Sequence, residues 1–459
     1  MDKTLRLEKD RIGKLLLDFS LPAMIGMIVM ASYNVVDRIF VGRGVGSLAI
    51  SGVTVTFPII IIFMAFGMLV GIGATANISI KLGEKKLEIA EKILANAFTL
   101  AIIISVILMI VGYTFMDTLL VAFGASEDVL PYAKDYTHVL LAGTIFQAIS
   151  FSLNNIIRGE GNPVMAMKTM LISGILNIIL NPFFIFVLHL GIKGSALATV
   201  ISQFVSAVWV MSYFFGRKSH VKFHFKYLKL EKDIVLKIFS IGMSPFSMQI
   251  AAGTIFVIFT KSLAHYGGDL AIAAMGIGMA IINFILMPIF GINQGIQPII
   301  GYNYGAKLYE RVKKVMRLAT IVSTSICVFG FLAVMFFSEF IVGIFSKDDF
   351  QLIEMGSHAL RVFLIMLPVV GFQVVNAGYF QAVGKAYSAM VLTLFRQVIM
   401  LIPMLFILPH FFQLEGIWLA EPVSDGVSAV LSFIIIYFEW KRLNRLQNEK
   451  MELAVEQSL

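Results

Sequence analysis

The acidic residue that most strongly indicates chemistry is Asp37, near the end of the first long apolar stretch, residues 15–41. That stretch is long enough to cross a bilayer, which takes about 20 apolar residues. A carboxylate near membrane depth costs roughly 2.5–3.5 kcal/mol on insertion scales, so we expect it to be functional. The alternative is that Asp37 is hydrated at the water interface beside Arg38.

Amide and hydroxyl side chains recur at similar depth on later apolar stretches. Asn177 and Asn181 are four residues apart, so they share one helical face. Thr199 lies near the outer end of the next stretch. Oxygen ligands around an anion suit a proton or Na⁺, so we predict that these three residues and Asp37 bind a coupling cation. The alternative is that amides and hydroxyls only hold neighbouring helices together.

The last two apolar stretches carry the other intramembrane charges. Glu421 and Asp425 are four residues apart on one stretch, and Arg396 lies at similar depth on the preceding one. We expect Arg396 and Asp425 to form a buried structural pair. Glu421 lies nearer the outside, where it could face a cleft and attract a cationic ligand.

The composition excludes a soluble protein. Of 459 residues, 58% are hydrophobic and 14% charged, and the mean hydropathy is +0.88, which is too apolar for a water-soluble surface. Many stretches of spanning length predict an all-α polytopic membrane protein, because a transmembrane barrel would show short alternating segments. No phosphate-cradling motif, convergent catalytic set or cofactor motif is visible, and the single Cys327 excludes an internal disulfide.

Twelve transmembrane helices are predicted, joined by short polar loops. They cover residues 15–39, 50–80, 93–115, 130–157, 164–188, 193–215, 236–262, 270–303, 318–340, 356–383, 386–409 and 415–439. Most of the 36 Lys and Arg residues fall on one side if both termini are cytoplasmic, as the positive-inside rule favours. This bias accounts for the basic pI without a nucleic-acid partner and predicts a multi-pass protein of the cell (inner) membrane.

An internal repeat relates the two halves of the chain. At one constant offset along the sequence, Gly46, Gly73 and Gly194 align with Gly268, Gly295 and Gly416. Six spans per half put both halves in the membrane in the same sense, so we predict two pseudo-symmetric six-helix lobes around a central cleft. The predicted units are an N-lobe (1–215), a basic cytoplasmic linker (216–235), a C-lobe (236–440) and a cytoplasmic tail (441–459).

Three passages, taken with the duplication, carry a family resemblance. They are YNVVDRIFVGRGVGSLAISG, LNIILNPFFIFVLHLGIKGSALATVIS and GINQGIQPIIGYNYGAKLYERVKK. The chain resembles the multidrug and toxic compound extrusion (MATE) family of cation-coupled antiporters, and within it the MepA-like and DinF-like branches. The resemblance implies an antiporter, not an enzyme, that exports organic cations of multidrug type in exchange for H⁺ or Na⁺ by alternating access.

The resemblance also implies roles for particular residues. In DinF-like relatives the N-lobe cation site corresponds to Asp37, Asn177, Asn181 and Thr199, and a helix-bending proline corresponds to Pro22. Asn181 stands where a carboxylate is expected, so the site would hold one cation on one negative charge. Transient Na⁺ at Asp37, Asn177 and Asn181 is the only metal binding implied. The C-lobe carboxylates of NorM-like relatives are missing: span seven offers Gln249, a candidate for the substrate cleft, and residues 362–383 contain no Asp or Glu.

Two other functions remain open. A flippase for a lipid-linked saccharide should have a strongly cationic cleft, but Arg396 is the only cation in the middle of a predicted span. A non-transporting membrane enzyme or receptor would need a catalytic set or a large loop domain, and neither is visible. The expected partners are small organic molecules and membrane lipid, and we expect a monomer.

Overall fold

The computed structural model describes residues 3–345 and 350–456, and these residues contain helices and no strands. The helices are Lys3–Lys9, Ile12–Gly44, Ser47–Gly83, Leu87–Thr114, Met116–Ala122, Leu130–Gly159, Pro163–Pro182, Gly191–Phe215, a short Phe225–Tyr227 turn, Lys232–Gly305, Tyr309–Phe345, Phe350–Phe363, Leu367–Ala382, Ala386–Leu394 and Ile402–Glu456, with π-helical turns at Phe183–Val187 and Phe395–Leu401. Helices predominate because apolar segments in lipid must satisfy their backbone groups internally.

The described helices account for all twelve predicted spans. Ten are long and apolar enough to cross a membrane, and an eleventh span consists of two shorter helices that meet at 50°. The twelfth arises because the 67-residue run Ala386–Glu452 reverses at Gln413, whose φ is 50°. After the reversal Gly416 lies directly against the Leu408 carbonyl, where a Cβ would not fit.

The bent span departs from the single helix predicted over 356–383. Its two helices, Phe350–Phe363 and Leu367–Ala382, are separated by a turn at residues 364–366. Pro368 lies at the start of the second helix. Because proline has no N–H and its ring clashes with the carbonyl four residues earlier, the helix breaks at this point.

The repeat is visible in the backbone as well as in the sequence. Gly46 and its repeat equivalent Gly268 both have a positive φ, and so do the equivalent residues Lys85 and Lys307. A positive φ is uncommon for a residue other than glycine. Two such lysines at equivalent positions indicate that the duplicated halves fold alike.

The two halves meet through backbone contacts that only glycine permits. A Cβ on Gly83 would lie directly on the Tyr302 carbonyl oxygen, and a Cβ on Gly305 would lie directly on the Ile80 carbonyl oxygen. Gly83 and Gly305 are equivalent in the repeat, as are Ile80 and Tyr302. The contact is therefore reciprocal, as a pseudo-two-fold axis between the halves requires.

The buried apolar residues show where the halves are joined and where they are separate. One cluster contains residues from both halves, from Leu7 through Ile300 to Leu443. A second cluster contains only C-terminal-half residues, between Ala251 and Ala420. Two smaller clusters contain only N-terminal-half residues, from Val41 to Ala196 and from Ile59 to Ala133. The halves thus share a core near Gly83 and Gly305 and keep separate cores elsewhere.

The segment between the halves is fastened to the N-terminal half by Glu160, which is buried. Its carboxylate accepts hydrogen bonds from the hydroxyls of Tyr213 and Ser219 (2.8 Å for Ser219) and from the backbone N–H of Val221 at 3.1 Å. Nearby, His224 lies 3.3 Å from Glu91. The basic linker is therefore docked on the bundle.

We predict that Gly305→Ala disfavours the contact between the two halves at Gly83 and Gly305, because the added methyl group would overlap the Ile80 carbonyl. Overpacking of this kind costs about 1–3 kcal/mol. Spin labels attached to cysteines introduced at Lys86 and Glu310, in a Cys327→Ala background, measure the separation of the halves. In Gly305→Ala most molecules should show a longer distance between the two labels than in the parent protein.

Gly276→Ala is the matched control, since a Cβ at Gly276 meets open space. It should leave the label distances unchanged. Unchanged distances in Gly305→Ala would show that the glycine contact does not hold the halves together.

A second prediction concerns the linker. Glu160→Ala leaves several buried donors unpaired, at about 1–3 kcal/mol each, so trypsin should cleave at Arg217, Lys218 and Lys222 at least several-fold faster. Substitution of the exposed Glu127 serves as the control. Equal cleavage rates would mean that Glu160 does not hold the linker in place.

Candidate functional site

Asp37 is held inside the bundle by donors from two other helices. It lies on the helix Ile12–Gly44 and is 8% exposed. The Ser195 hydroxyl donates to its Oδ1 at 2.6 Å, and the Asn181 amide donates to the same oxygen. Arg38, its neighbour in sequence, is exposed. The carboxylate therefore faces the protein interior, not the water beside Arg38.

Asn177 and Thr199 form a second pair, one helical turn from Asn181 and Ser195 on the same two helices. Asn177 and Asn181 are both buried on one face of the helix Pro163–Pro182, and the Asn177 amide donates to the Thr199 hydroxyl at 3.0 Å. The structure thus brings together all four residues that the sequence grouped: Asp37, Asn177, Asn181 and Thr199.

The two asparagines present unused acceptors. Both amide groups use N–H donors in the contacts above, while Oδ1 of Asn177 and Oδ1 of Asn181 are buried and lack a hydrogen-bond partner among the described residues. A buried acceptor without a partner costs about 1–3 kcal/mol. Amide and carboxylate oxygens are the ligands that a small hard cation prefers, so these two amide oxygens and the carboxylate could serve as its ligands.

The sequence did not predict two residues of this site, Ser195 and Tyr136. Ser195 precedes Thr199 by four residues and so lies on the same helical face, a spacing that could have revealed it. Tyr136 is buried on the helix Leu130–Gly159 and packs in one apolar cluster with Val41 and Ala196, beside the site. Nothing in the local sequence distinguishes Tyr136 from an ordinary packed tyrosine.

Local backbone features bring the three helices close enough for these contacts. A Cβ on Gly194 would lie only 3.0 Å from backbone atoms of Phe184, so glycine lets the last two helices of the half approach. Pro182 is followed by the π-helical turn Phe183–Val187. π-Helical turns within α-helices are frequent at functional sites.

Pro22 lies within the helix Ile12–Gly44, which is helical on both sides of it. Proline removes one backbone hydrogen bond, so bending here is less costly than elsewhere in the helix. Pro22 as a hinge therefore stays a prediction.

The three intramembrane charges predicted in the second half form one group. Nη1 of Arg396 lies 2.9 Å from Oδ1 of Asp425 and 3.3 Å from Oε1 of Glu421. The pair predicted from sequence is thus a triad, because Glu421 shares the same guanidinium nitrogen. Gln249 is half-buried on another helix and makes no hydrogen bond to Glu421 in the described structure. A cleft role for Gln249 and Glu421 stays a prediction.

No cluster of three or more His, Cys, Asp or Glu side chains suited to a metal occurs among residues 3–345 and 350–456. The site around Asp37 contains one carboxylate and otherwise neutral oxygen and nitrogen atoms. A buried carboxylate with neutral neighbours can bind a small monovalent cation reversibly.

Comparison with known families gives two matches within the chain. The model of the MatE family matches residues 22–183 and again residues 245–407. The chain belongs to the MatE family. The two matched segments coincide with the repeated halves, so each half carries one copy of the family's unit.

Individual relatives of this MatE protein agree with the assignment. The multidrug export protein MepA of Staphylococcus aureus is 31% identical over 445 residues, covering 97% of this chain and 98% of MepA. A solved structure of a MATE protein in the bent conformation superposes with a TM-score of 0.90 at 25% identity, covering 98% and 99% of the two chains. An outward-facing multidrug resistance MATE transporter superposes with a TM-score of 0.88 at 25% identity, covering 96% and 98%. The protein is therefore a two-lobed, membrane-spanning member of the MATE transporter family.

We predict that Ser195→Ala destabilises this MatE protein by about 1–3 kcal/mol, because it removes a donor from a buried carboxylate. Thermal unfolding in detergent measures the effect. Ser212→Ala is the control, since Ser212 is exposed and donates only to the Trp209 carbonyl in its own helix. Equal Tm values for the two variants would contradict a stabilising role for Ser195.

Proposed function

We propose that this MatE protein is a secondary antiporter that exports organic, cationic compounds of multidrug type in exchange for H⁺ or Na⁺. The observation that carries the proposal is the environment of Asp37. It is a buried carboxylate with neutral donors on one oxygen and two partnerless amide oxygens nearby. Family membership supports the transport of organic compounds, since the relative MepA is named a multidrug export protein.

Binding of the cation would neutralise the negative charge of Asp37. An occupied site is electrically neutral, because Asp37 is its only acidic residue, and an empty site leaves a buried charge that favours hydration. A proton would bind directly to Asp37. Na⁺ would be bound by the carboxylate and by the Oδ1 atoms of Asn177 and Asn181, because oxygen ligands suit a hard cation.

The arrangement of the two halves supports alternating access. They share one core at the end that contains Gly83 and Gly305 and have separate cores beyond it. The distribution of Lys and Arg supports a cytoplasmic location for that joined end and for both chain termini. Binding at Asp37 would shift the balance between this state and one opened on the inside, with Pro22 as the hinge, because a ligand shifts a conformational equilibrium by its differential affinity.

The charges of the second half disfavour a flippase. A lipid-linked pyrophosphate needs a free cation in the cleft, but the guanidinium of Arg396 is already shared by two carboxylates. A cationic compound is the better match for this polarity. We further propose a monomer that needs no cofactor beyond the coupling ion.

The test is transport by the purified protein in vesicles. Asp37→Asn keeps the size of the side chain and one acceptor oxygen but removes its charge, so gradient-driven export of the cationic dye ethidium should fall at least tenfold. Imposing an H⁺ gradient and a Na⁺ gradient separately identifies the coupling ion.

Asp128→Asn is the control, because Asp128 is exposed in a loop. It should transport at the wild-type rate. Full gradient-driven efflux by a correctly folded Asp37→Asn variant would refute the coupling role of this site.

A further inference from the structure

The second half contains a charged group for which the site around Asp37 has no use. Arg396 contacts both Asp425 and Glu421 through one nitrogen, Nη1. The helix that carries the two acids begins after the reversal at Gln413, so Glu421 lies about 12 Å and Asp425 about 18 Å along it at 1.5 Å per residue. A bilayer core is about 30 Å thick. The triad is therefore well inside the membrane.

The charges of the triad do not balance. Two carboxylates and one guanidinium leave one net negative charge in a region where an uncompensated charge is costly. Cys327 is the other titratable group that interacts with Asp425 from a neighbouring helix. No further cation contacts the triad in the described structure; His358 pairs with Glu415, nearer the reversal. One more positive charge is needed for neutrality.

The geometry distinguishes the two acids. Asp425 is closer to Arg396, at 2.9 Å, and its side chain is 6% exposed, whereas Glu421 is at 3.3 Å and its side chain is 20% exposed. Asp425 is thus the permanent partner of Arg396. Glu421 is the more accessible acid, and its longer contact with Arg396 is the more easily broken of the two.

A neighbouring amide also indicates a ligand. Gln373, on the helix Leu367–Ala382, is 7% exposed and donates its Nε2 to the backbone carbonyl of Asp425 at 2.6 Å. Its Oε1 is buried and has no hydrogen-bond partner among the described residues. The side chain that hydrogen-bonds the Asp425 backbone therefore keeps an unused acceptor, whereas buried polar groups are usually hydrogen-bonded.

The adjacent guanidinium decides which cation fits. Na⁺ between the carboxylates would lie close to a fixed positive charge, whereas a proton on Glu421 leaves Arg396 and Asp425 as a one-to-one pair. We propose that Glu421, with Arg396 and Asp425, is a second proton-binding site in the C-terminal half. The role of this second site in transport rests on the proposed antiport function, whereas proton binding to Glu421 can be tested without a substrate.

The test is infrared difference spectroscopy of the purified full-length protein between acidic and alkaline buffer, with H⁺ as the only ligand. A carboxylic acid that releases its proton loses its C=O stretch. Glu421→Gln should lack one such band that Asp37→Asn retains. Glu421→Asp keeps a titratable acid and should keep a band. Glu415→Gln changes a half-buried acid on the same helix and should retain the Glu421 band.

Charge counting gives a sharper outcome. In Asp425→Asn, Glu421 becomes the sole partner of Arg396 and should stay ionised, so its band should disappear although Glu421 is still present. A band unchanged by Glu421→Gln would overturn the proposal, and a Glu421 band that persists in Asp425→Asn would refute the triad as its cause. Vesicles give a separate readout: the wild type should exchange one more proton per ethidium than Glu421→Gln. If the infrared result holds while no variant transports ethidium, the antiport proposal fails and the proton site stands.

Discussion

A carboxylate inside a bilayer must be neutralised, and this constraint shapes both halves of the protein. In the first half Asp37 is neutralised only in part, by the Ser195 hydroxyl and the Asn181 amide. These donors carry no full charge, so they leave the charge of the carboxylate available to the cation that we propose binds here. In the second half a permanent cation, Arg396, lies between two acids. The same physical requirement is met by dipoles in one half and by an ion pair in the other.

The glycine contacts mark where the two halves would have to part for such sites to open to one side and then the other, as we propose. Where Gly83 and Gly305 meet the opposite backbone, the two halves approach more closely than side chains would allow. Small residues at helix interfaces favour this packing in membranes, where no hydrophobic force drives helices together. The contact lies within the apolar core that the halves share, so separating the halves would expose part of that core. The apolar clusters confined to each half keep each half intact during such a movement.

Much of this architecture could be predicted from the sequence because it depends on local patterns. The spacing of Asn177 and Asn181 placed them on one face, and the shared depth of Asp37 and Thr199 placed those residues near them. The four-residue spacing to Thr199 places Ser195 on the same helical face, but its contact with Asp37 joins residues far apart in sequence and is a property of tertiary packing. The docking of the linker on Glu160 was missed for the same reason, since its partners are distant in sequence. The bend before Pro368 is different: its cause was visible, but a proline can be accommodated in a transmembrane helix, so the residue type alone did not decide it.

The divergence of the two sites follows from a few exchanges at equivalent positions. In the repeat alignment, Thr199 corresponds to Glu421 and Gln203 to Asp425, while Gly174 corresponds to Arg396. Gly174 lies against Val29 of the first helix, where a long side chain would not fit. Introducing two acids on the last helix of a half would leave two uncompensated charges, so the arginine on the preceding helix is required for that half to fold in lipid. The acids and the arginine therefore depend on one another, whereas Asp37 is an isolated charge. An isolated charge with neutral partners gains most from a mobile cation, which is why the first half is the better candidate for binding Na⁺ and the second for binding only a proton.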